Sequence, residues 1–310
     1  MTANAPGASP APVLAEVVRS GFVEGRHRGS LVVLAPDGSV DRALGDVDSP
    51  VFPRSSNKPM QATAVLRAGL ELSGERLALA AASHSGEDFH QRLAAAMLAE
   101  HGLDEDALRC PEDGPQRRRL AMNCSGKHAS MLAACVARGW PVESYTEPGH
   151  PLQLLVRETI EEFTGEPVAH VGVDGCGAPL FAFSLTGLAR AFRAFVLAAP
   201  GSRERRVADA MRAHPEYVGG TGRLDTLLMR AVPGVLAKGG AEGVQAVALP
   251  DGRALAFKIE DGAARARGPV LAAALAGLGV DAASIPREPV LGGGREVGEI
   301  RAAGQVGTAP

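Results

Sequence analysis

The sequence predicts a mixed α/β fold: one antiparallel sheet made from both ends of the chain, with a mainly helical part inserted between them. Three observations carry that expectation. Strand-like apolar segments lie near the two ends, and helical patterns fill the middle. Hydrophobic residues occupy 45% of the 310 positions and charged residues 22%, which suits a sizeable buried core. Aromatic residues are only 4%, so that core is built from aliphatic side chains.

The elements follow in order. Residues 1–12 are small and Pro-rich and read as a leader, without the charged start and apolar stretch of an export signal. Residues 13–310 read as one catalytic unit whose helical part spans about 60–240. Leu31–Leu34 is a buried strand, Asp37-Gly38 a turn and Val40–Leu44 the hairpin partner. Met60–Ala68 is helical, with Gly69 as its stop. The apolar run Leu77–Ala82 leads into a strand-to-helix junction. There Ser85 caps a helix over Glu87–Glu100, closed by Gly102. A further helix over His128–Arg138 ends at Gly139, and His150-Pro151 opens another that runs to Phe163 and stops at Gly165. Val168–Val173 is strand-like, and Pro179–Phe195 and Arg203–Ala213 are helical. Val244–Leu249, Pro250-Asp251-Gly252 and Ala254–Ile259 form a hairpin, followed by a helix over Pro269–Leu278 and a short strand over Val297–Ile300.

Charge and composition exclude several functions. Lys plus Arg total 32 and Asp plus Glu 35, so the net charge of −3 argues against a general nucleic-acid binder. The apolar run Ala191–Pro200 is short and carries Arg193, and no longer one suggests a membrane span, so the expected compartment is the cytoplasm. The cysteines Cys110, Cys124, Cys135 and Cys176 contain no CxxC pair and read as thiols or metal ligands rather than disulfides. Cys110 and Cys135 suit simple burial. Cys124 and Cys176 sit in glycine-rich polar turns.

Several short segments carry chemistry. Ser55 and Lys58 are three residues apart in Arg54-Ser55-Ser56-Asn57-Lys58-Pro59, so on a helical turn they share a face at the positive end of a helix. A desolvated lysine can serve as the base for such a hydroxyl, because burial lowers the amine pKa. A capping serine beside a solvated lysine gives the same spacing. Ser83, His84 and Ser85 stand where a loop presents side chains and free N–H groups together, and either catalysis or capping would place them there. Cys124, Lys127 and His128 open a helix, and Asp174 and Cys176 lie in a later turn. Thiolate, carboxylate and imidazole together can bind zinc, although no two of them have zinc-finger spacing. Lys238, between a helix end and a strand, faces either a cleft or solvent.

Taken in order, Arg-Ser-x-x-Lys-Pro at 54–59, Ala-Ser-His-Ser at 82–85, Asn-Cys-Ser-Gly-Lys-His at 123–128, Asp-Gly-Cys at 174–176, His-Pro-Glu at 214–216 and Lys-Ile-Glu-Asp-Gly at 258–262 form a set. That set resembles the Rhizobium etli-type (class 3) L-asparaginase family, from about Val17 to about Ile300. The resemblance implies a serine β-lactamase/glutaminase-like antiparallel sheet flanked by helices, with a helical subdomain. It implies hydrolysis of the side-chain amide of L-asparagine by two serine–lysine pairs, Ser55 with Lys58 and Ser83 with Lys238, with Ser55 favoured as nucleophile and backbone N–H groups near both serines as oxyanion donors. It further implies a zinc held by Cys124, Lys127 and Cys176, substrate contacts from Arg54, His128 and Asp174, and a homodimer. The Arg-Arg-Arg run at 117–119 departs from the pattern. Two other classes share parts of the set. A β-lactamase or penicillin-binding type of acyl-transfer enzyme also uses S-x-x-K, but its K-T-G strand is approximated only by Lys238-Gly239-Gly240. A non-catalytic zinc-binding protein would use the cysteines alone.

Overall fold

A computed structural model describes residues 10–308. Positions 1–9 of the expected leader lie outside the described residues. Strands β1 (Val13–Arg19) and β2 (Phe22–Leu34) form a hairpin, and β3 (Val40–Leu44) pairs with the second half of β2. A 3-10 turn at Arg54–Asn57 runs directly into α1 (Lys58–Arg67). Helices α2 (Gly74–Ala80), α3 (Asp88–Ala99), α4 (Ser125–Arg138) and α5 (Pro151–Thr164) follow. A small hairpin, β4 (His170–Val173) with β5 (Pro179–Ala182), precedes α6 (Leu185–Leu197), α7 (Arg203–Ala213), α8 (Pro215–Val218) and α9 (Leu224–Ala231). The chain then returns to the main sheet with β6 (Leu236–Gly239), β7 (Val244–Ala248) and β8 (Ala254–Ile259), crosses it as α10 (Arg267–Gly277), and closes with β9 (Glu288–Gly292) and β10 (Arg295–Ala302).

The main sheet is antiparallel and eight-stranded, ordered β6-β7-β8-β2-β1-β10-β9 with β3 also on β2. Strand β1 therefore joins the two ends of the chain, with Ala15 opposite Ala302 on one side and His27 on the other. Strand β7 is buried at every residue and β8 at all but Lys258, which requires cover on both faces of the sheet. Helix α6 packs on β2, β7 and β8, and α10 on β1, β7 and β10. Away from the sheet, α1 is buried from Lys58 to Leu66 and is enclosed by α2, α4, α5 and α7. Its alanines let neighbours approach closely, and Thr63 satisfies its hydroxyl on Pro59 O at 3.0 Å.

Sheet, hairpins and most helices stand where the sequence places them, and glycines 139 and 165 close α4 and α5. Four local readings change. The helix expected from Pro179 divides: Pro179–Ala182 is strand β5, and a new helix starts at Ser184, whose hydroxyl accepts from Gly187 N at 2.8 Å. Short apolar runs look alike in strands and buried helices, so periodicity alone does not separate them. The run Leu77–Ala82 belongs largely to α2, so the junction at Ser83 joins two helices. Ser85 does not cap α3. Glu87 holds the cap position, and Ser85 donates to Glu87 Oε1 at 2.6 Å. Lys238 lies within strand β6 rather than in a turn before a strand. Among the described residues no helix is long and apolar enough to cross a membrane.

Candidate active site

The chemistry gathers where α2, α9, β6 and the 3-10 turn before α1 converge. A cavity of about 330 Å³ opens there, with Ser55, Ser83, Asp113, Arg223, Asp225 and Arg267 among its lining residues. The segment after α2 is pinned on both sides: Ser83 N donates to Val218 O and His84 N to Asn123 O, both at 3.0 Å. The Ser83 amide is thus committed to Val218, which removes it from the expected oxyanion donors. Ser55 sits in the first turn of the 3-10 helix, where N–H groups lack intrahelical acceptors.

Lys238 is buried, and its Nζ lies 2.6 Å from Ser83 Oγ. The same ammonium donates to Gly239 O at 2.7 Å and stands 3.6 Å from Asp225 Oδ2. Burial pushes the Lys238 amine down to about 8, helped by the charges of Lys58 and Arg267 and opposed by Asp225. Its neutral, proton-accepting form is therefore reached near neutral pH. Asp225 is buried as well. Its Oδ2 accepts from Gly239 N at 2.7 Å and its Oδ1 from Gln245 Nε2 at 2.9 Å. Burial works against that carboxylate, but Lys238 and Arg267 outweigh it and hold the group below the ordinary aspartate range.

The two glycines after Lys238 explain how the strand reaches the site. A Cβ on Gly239 would stand 2.7 Å from the Arg267 guanidinium. A Cβ on Gly240 would stand 2.4 Å from Pro53 O and 3.3 Å from Arg54 Cβ. Without side chains at both positions, β6 lies directly against the turn that carries Ser55. Arg54 in that turn adopts a left-handed φ of 53°, unusual for a non-glycine residue.

Lys58 behaves differently from its expected role. It is buried, but its Nζ donates to Ala82 O at 2.5 Å and to Cys124 Sγ at 2.9 Å. Among the described residues Lys58 and Ser55 share no hydrogen bond. Spacing placed them on one face, but the switch from 3-10 to α geometry and two tertiary acceptors take the amine elsewhere. Lys58 instead ties the backbone just before Ser83 to a second cluster below the cavity.

That cluster is sulfur-rich. Cys124 Sγ, Cys176 Sγ and an Asp174 oxygen all lie within 4.8 Å of one another. Lys127 Nζ donates to Cys176 Sγ at 3.1 Å. The Cys124 thiol, then the Lys127 charge and the neighbouring His128 ring, hold Cys176 far below the usual thiol range, while Cys124 is pushed up and keeps the proton. Burial disfavours the Lys127 ammonium, yet the sulfurs outweigh it and raise that group above the ordinary lysine range. His128 receives the Tyr145 hydroxyl proton at Nδ1, 2.6 Å away, because Tyr145 Oη itself accepts from Arg109 N. Its Nε2 is buried without a hydrogen-bond partner and stabilises the neighbouring Cys176 thiolate.

A family model described as L-asparaginase II matches residues 15–302. The chain belongs to the L-asparaginase II family. No curated protein sequence matches it. Among solved structures it is similar to Mglu in its native form, at 13% identity over 82% of this chain and 65% of that one, with a TM-score of 0.44. It is also similar to a Bacillus glutaminase, at 11% identity over 77% and 85% with a TM-score of 0.43. A third similar structure is a β-lactamase from Mycobacterium bovis, at 12% identity over 77% and 89% with a TM-score of 0.41. The chain spans just under two thirds of the length of Mglu.

In this L-asparaginase II family member the expected substrate contacts lie apart from the cavity. Arg54 donates to Asp174 at 2.8 Å and faces Glu242 at 3.6 Å, along a neighbouring groove of about 500 Å³ that includes Phe52, Val173 and Lys258. His128 is fully buried against Tyr145. The basic run at 117–119 does not face the cavity: Arg117 and Arg118 pair with Glu112 and Glu105, and Arg119 donates to the carbonyls of Leu108 and Cys110. Asp225, Arg267 and Asp113 are the site residues that sequence reasoning missed. None belongs to a short motif, and only the packing of α9, α10 and the loop after Cys110 on β6 and Ser83 brings them in.

Proposed function

We propose that the protein is an L-asparaginase of the Rhizobium etli type, hydrolysing the side-chain amide of L-asparagine to L-aspartate and ammonia by serine–lysine catalysis. The observation that carries this reading is the buried Lys238 amine 2.6 Å from Ser83 Oγ, in a cavity that Ser55 also lines. Neutral Lys238 accepts the Ser83 proton. Ser83 then either attacks the amide carbon or relays the proton from an attacking Ser55. Collapse of the tetrahedral intermediate breaks the C–N bond, and the protonated lysine returns its proton to the departing ammonia. Water clears the acyl-enzyme by the same path in reverse. Ammonia release from asparagine by the wild type, Ser55→Ala and Ser83→Ala tests this. Loss in both variants is expected, trapping of the acyl group identifies the nucleophile, and equal activity in all three would refute the chemistry.

Cys124, Lys127 and Cys176 would hold zinc, with Asp174 in reach and the unpartnered His128 Nε2 beside them. Two sulfurs and a carboxylate within 4.8 Å match a tetrahedral ion, whose sulfur ligands lie roughly 3.8 Å apart. Bound zinc would supply positive charge that orients the substrate. Lys127 must be neutral to ligate, so zinc affinity is expected to fall as pH drops. Cys176→Ser is expected to lose most of its zinc by elemental analysis, and unchanged stoichiometry would refute the ligand set. The reading extends to a cytoplasmic homodimer, checked by sedimentation.

A further inference from the structure

Arg267 is the first residue of α10, and its side chain reaches the cavity wall. Its Nη1 donates to Gly240 O at 3.3 Å, while its Nε is buried without a hydrogen-bond partner. Among the described residues it belongs to no ion pair, whereas Arg54 is held by Asp174 and Lys238 by Asp225. The Asp225 carboxylate is already committed to Gly239 N and the Gln245 amide. The cavity therefore contains a guanidinium packed against the bare backbone of Gly239, with unused donor capacity and no carboxylate within ion-pair distance among the described residues, although Asp113 and Asp225 line the same cavity. A half-buried charge left this way is unfavourable until an anion arrives. The planar fork of an arginine suits a carboxylate. The hydroxyl–amine couple of Ser83 and Lys238 lines the same cavity, whose volume suits a small molecule.

We propose that Arg267 binds the α-carboxylate of the substrate and so selects free asparagine over amides that lack this group. The proposal rests on the amidase reading above and looks beyond the expected substrate contact Arg54, whose charge Asp174 already engages. Asp113, which also lines the cavity, supplies a negative charge for the α-ammonium.

The test compares asparagine with 3-aminopropanamide, which keeps the amide and the amine and lacks the carboxylate. With each variant assayed at its own pH optimum, which removes the effect of the Arg267 charge on Lys238, Arg267→Gln is expected to lower kcat/KM for asparagine by about 30-fold or more, mainly through KM, and to leave 3-aminopropanamide within about threefold. Arg267→Lys is expected to recover part of the asparagine activity. L-Aspartate binding, measured by calorimetry, is expected to weaken in Arg267→Gln by a similar factor. Equal losses on the two amides, or unchanged aspartate affinity, would overturn the assignment. Should the wild type release no ammonia from either amide, the amidase reading fails, and the aspartate titration still decides the role of Arg267. Should Arg267→Gln fail to fold, Arg267→Lys decides, and a wild-type ratio of the two substrates overturns the proposal.

Discussion

Lys238→Met is expected to lower asparagine hydrolysis by about 10³-fold, within the range for loss of a general base, while the protein still folds. Methionine replaces the buried stem with a chain of similar length. Asp225 keeps its bonds from Gly239 N and Gln245 and its attraction to Arg267, so it is not left isolated. Ser83, in contrast, loses the only amine within hydrogen-bond distance among the described residues. The wild-type rate is expected to rise with pH through about 8, where Lys238 gives up its proton, and this limb should vanish in Lys238→Met. Stability should follow the same group. Its folded pKa lies below the ordinary lysine value of 10.5, so between about 8 and 10.5 the unfolded chain holds a proton that the folded chain has released. The Lys238 contribution to stability therefore rises with pH across that window. Denaturant titrations at pH 7.5 and 10 (about the two sides of the window) check this, and a difference that Lys238→Met does not reduce would contradict it.

Asp225→Asn is expected to cost about 3–5 kcal/mol of stability, as when one partner of a buried ion pair is removed. Both carboxylate oxygens accept from N–H donors, Gly239 N on one side and Gln245 Nε2 on the other. An amide must set its own N–H₂ against one of them. Lys238 also loses the only charge that Asp225 contributes in its favour, so its pKa falls further and the acid limb of the rate profile moves to lower pH. Activity at the optimum should fall because the amine is no longer aimed at Ser83. Urea melts read the first effect and a pH–rate profile the second. A wild-type limb in a stable variant would show that Asp225 neither holds nor tunes Lys238.

The legible part of the site is the part written in contiguous residues. Ser83 and Cys176 sit in polar turns of unusual composition, Cys124 and Lys127 stand at the polar start of α4, and the structure brings the last three together beneath the cavity with Asp174. Fold recognition worked where hairpins carry Asp-Gly turns, as at Asp37-Gly38 and Asp251-Gly252. It missed β1, whose Val-Leu-Ala-Glu-Val-Val-Arg pattern suits helix and strand alike, and β6, whose four residues are all buried and show no alternation. Lys58 shows the limit of spacing rules. Three residues of separation bring it near Ser55 along the chain, but Ala82 O and Cys124 Sγ, contributed by distant segments, compete successfully for its protons. Asp225 and Arg267 left no trace, because a single charged residue at a helix start is ordinary in sequence and becomes chemical only through its neighbours.

Strand β1 lies between β2 and β10, so its partners are separated by nearly the whole chain: Val17 faces Gly25 on one edge and Ile300 on the other. During synthesis the buried helices around α1 can condense early, but the sheet that backs them cannot close until β10 has left the ribosome. Such long-range pairing slows folding and leaves an open edge on β1 in the meantime. A nascent chain of this protein is therefore expected to depend on chaperone cover until β10 has emerged.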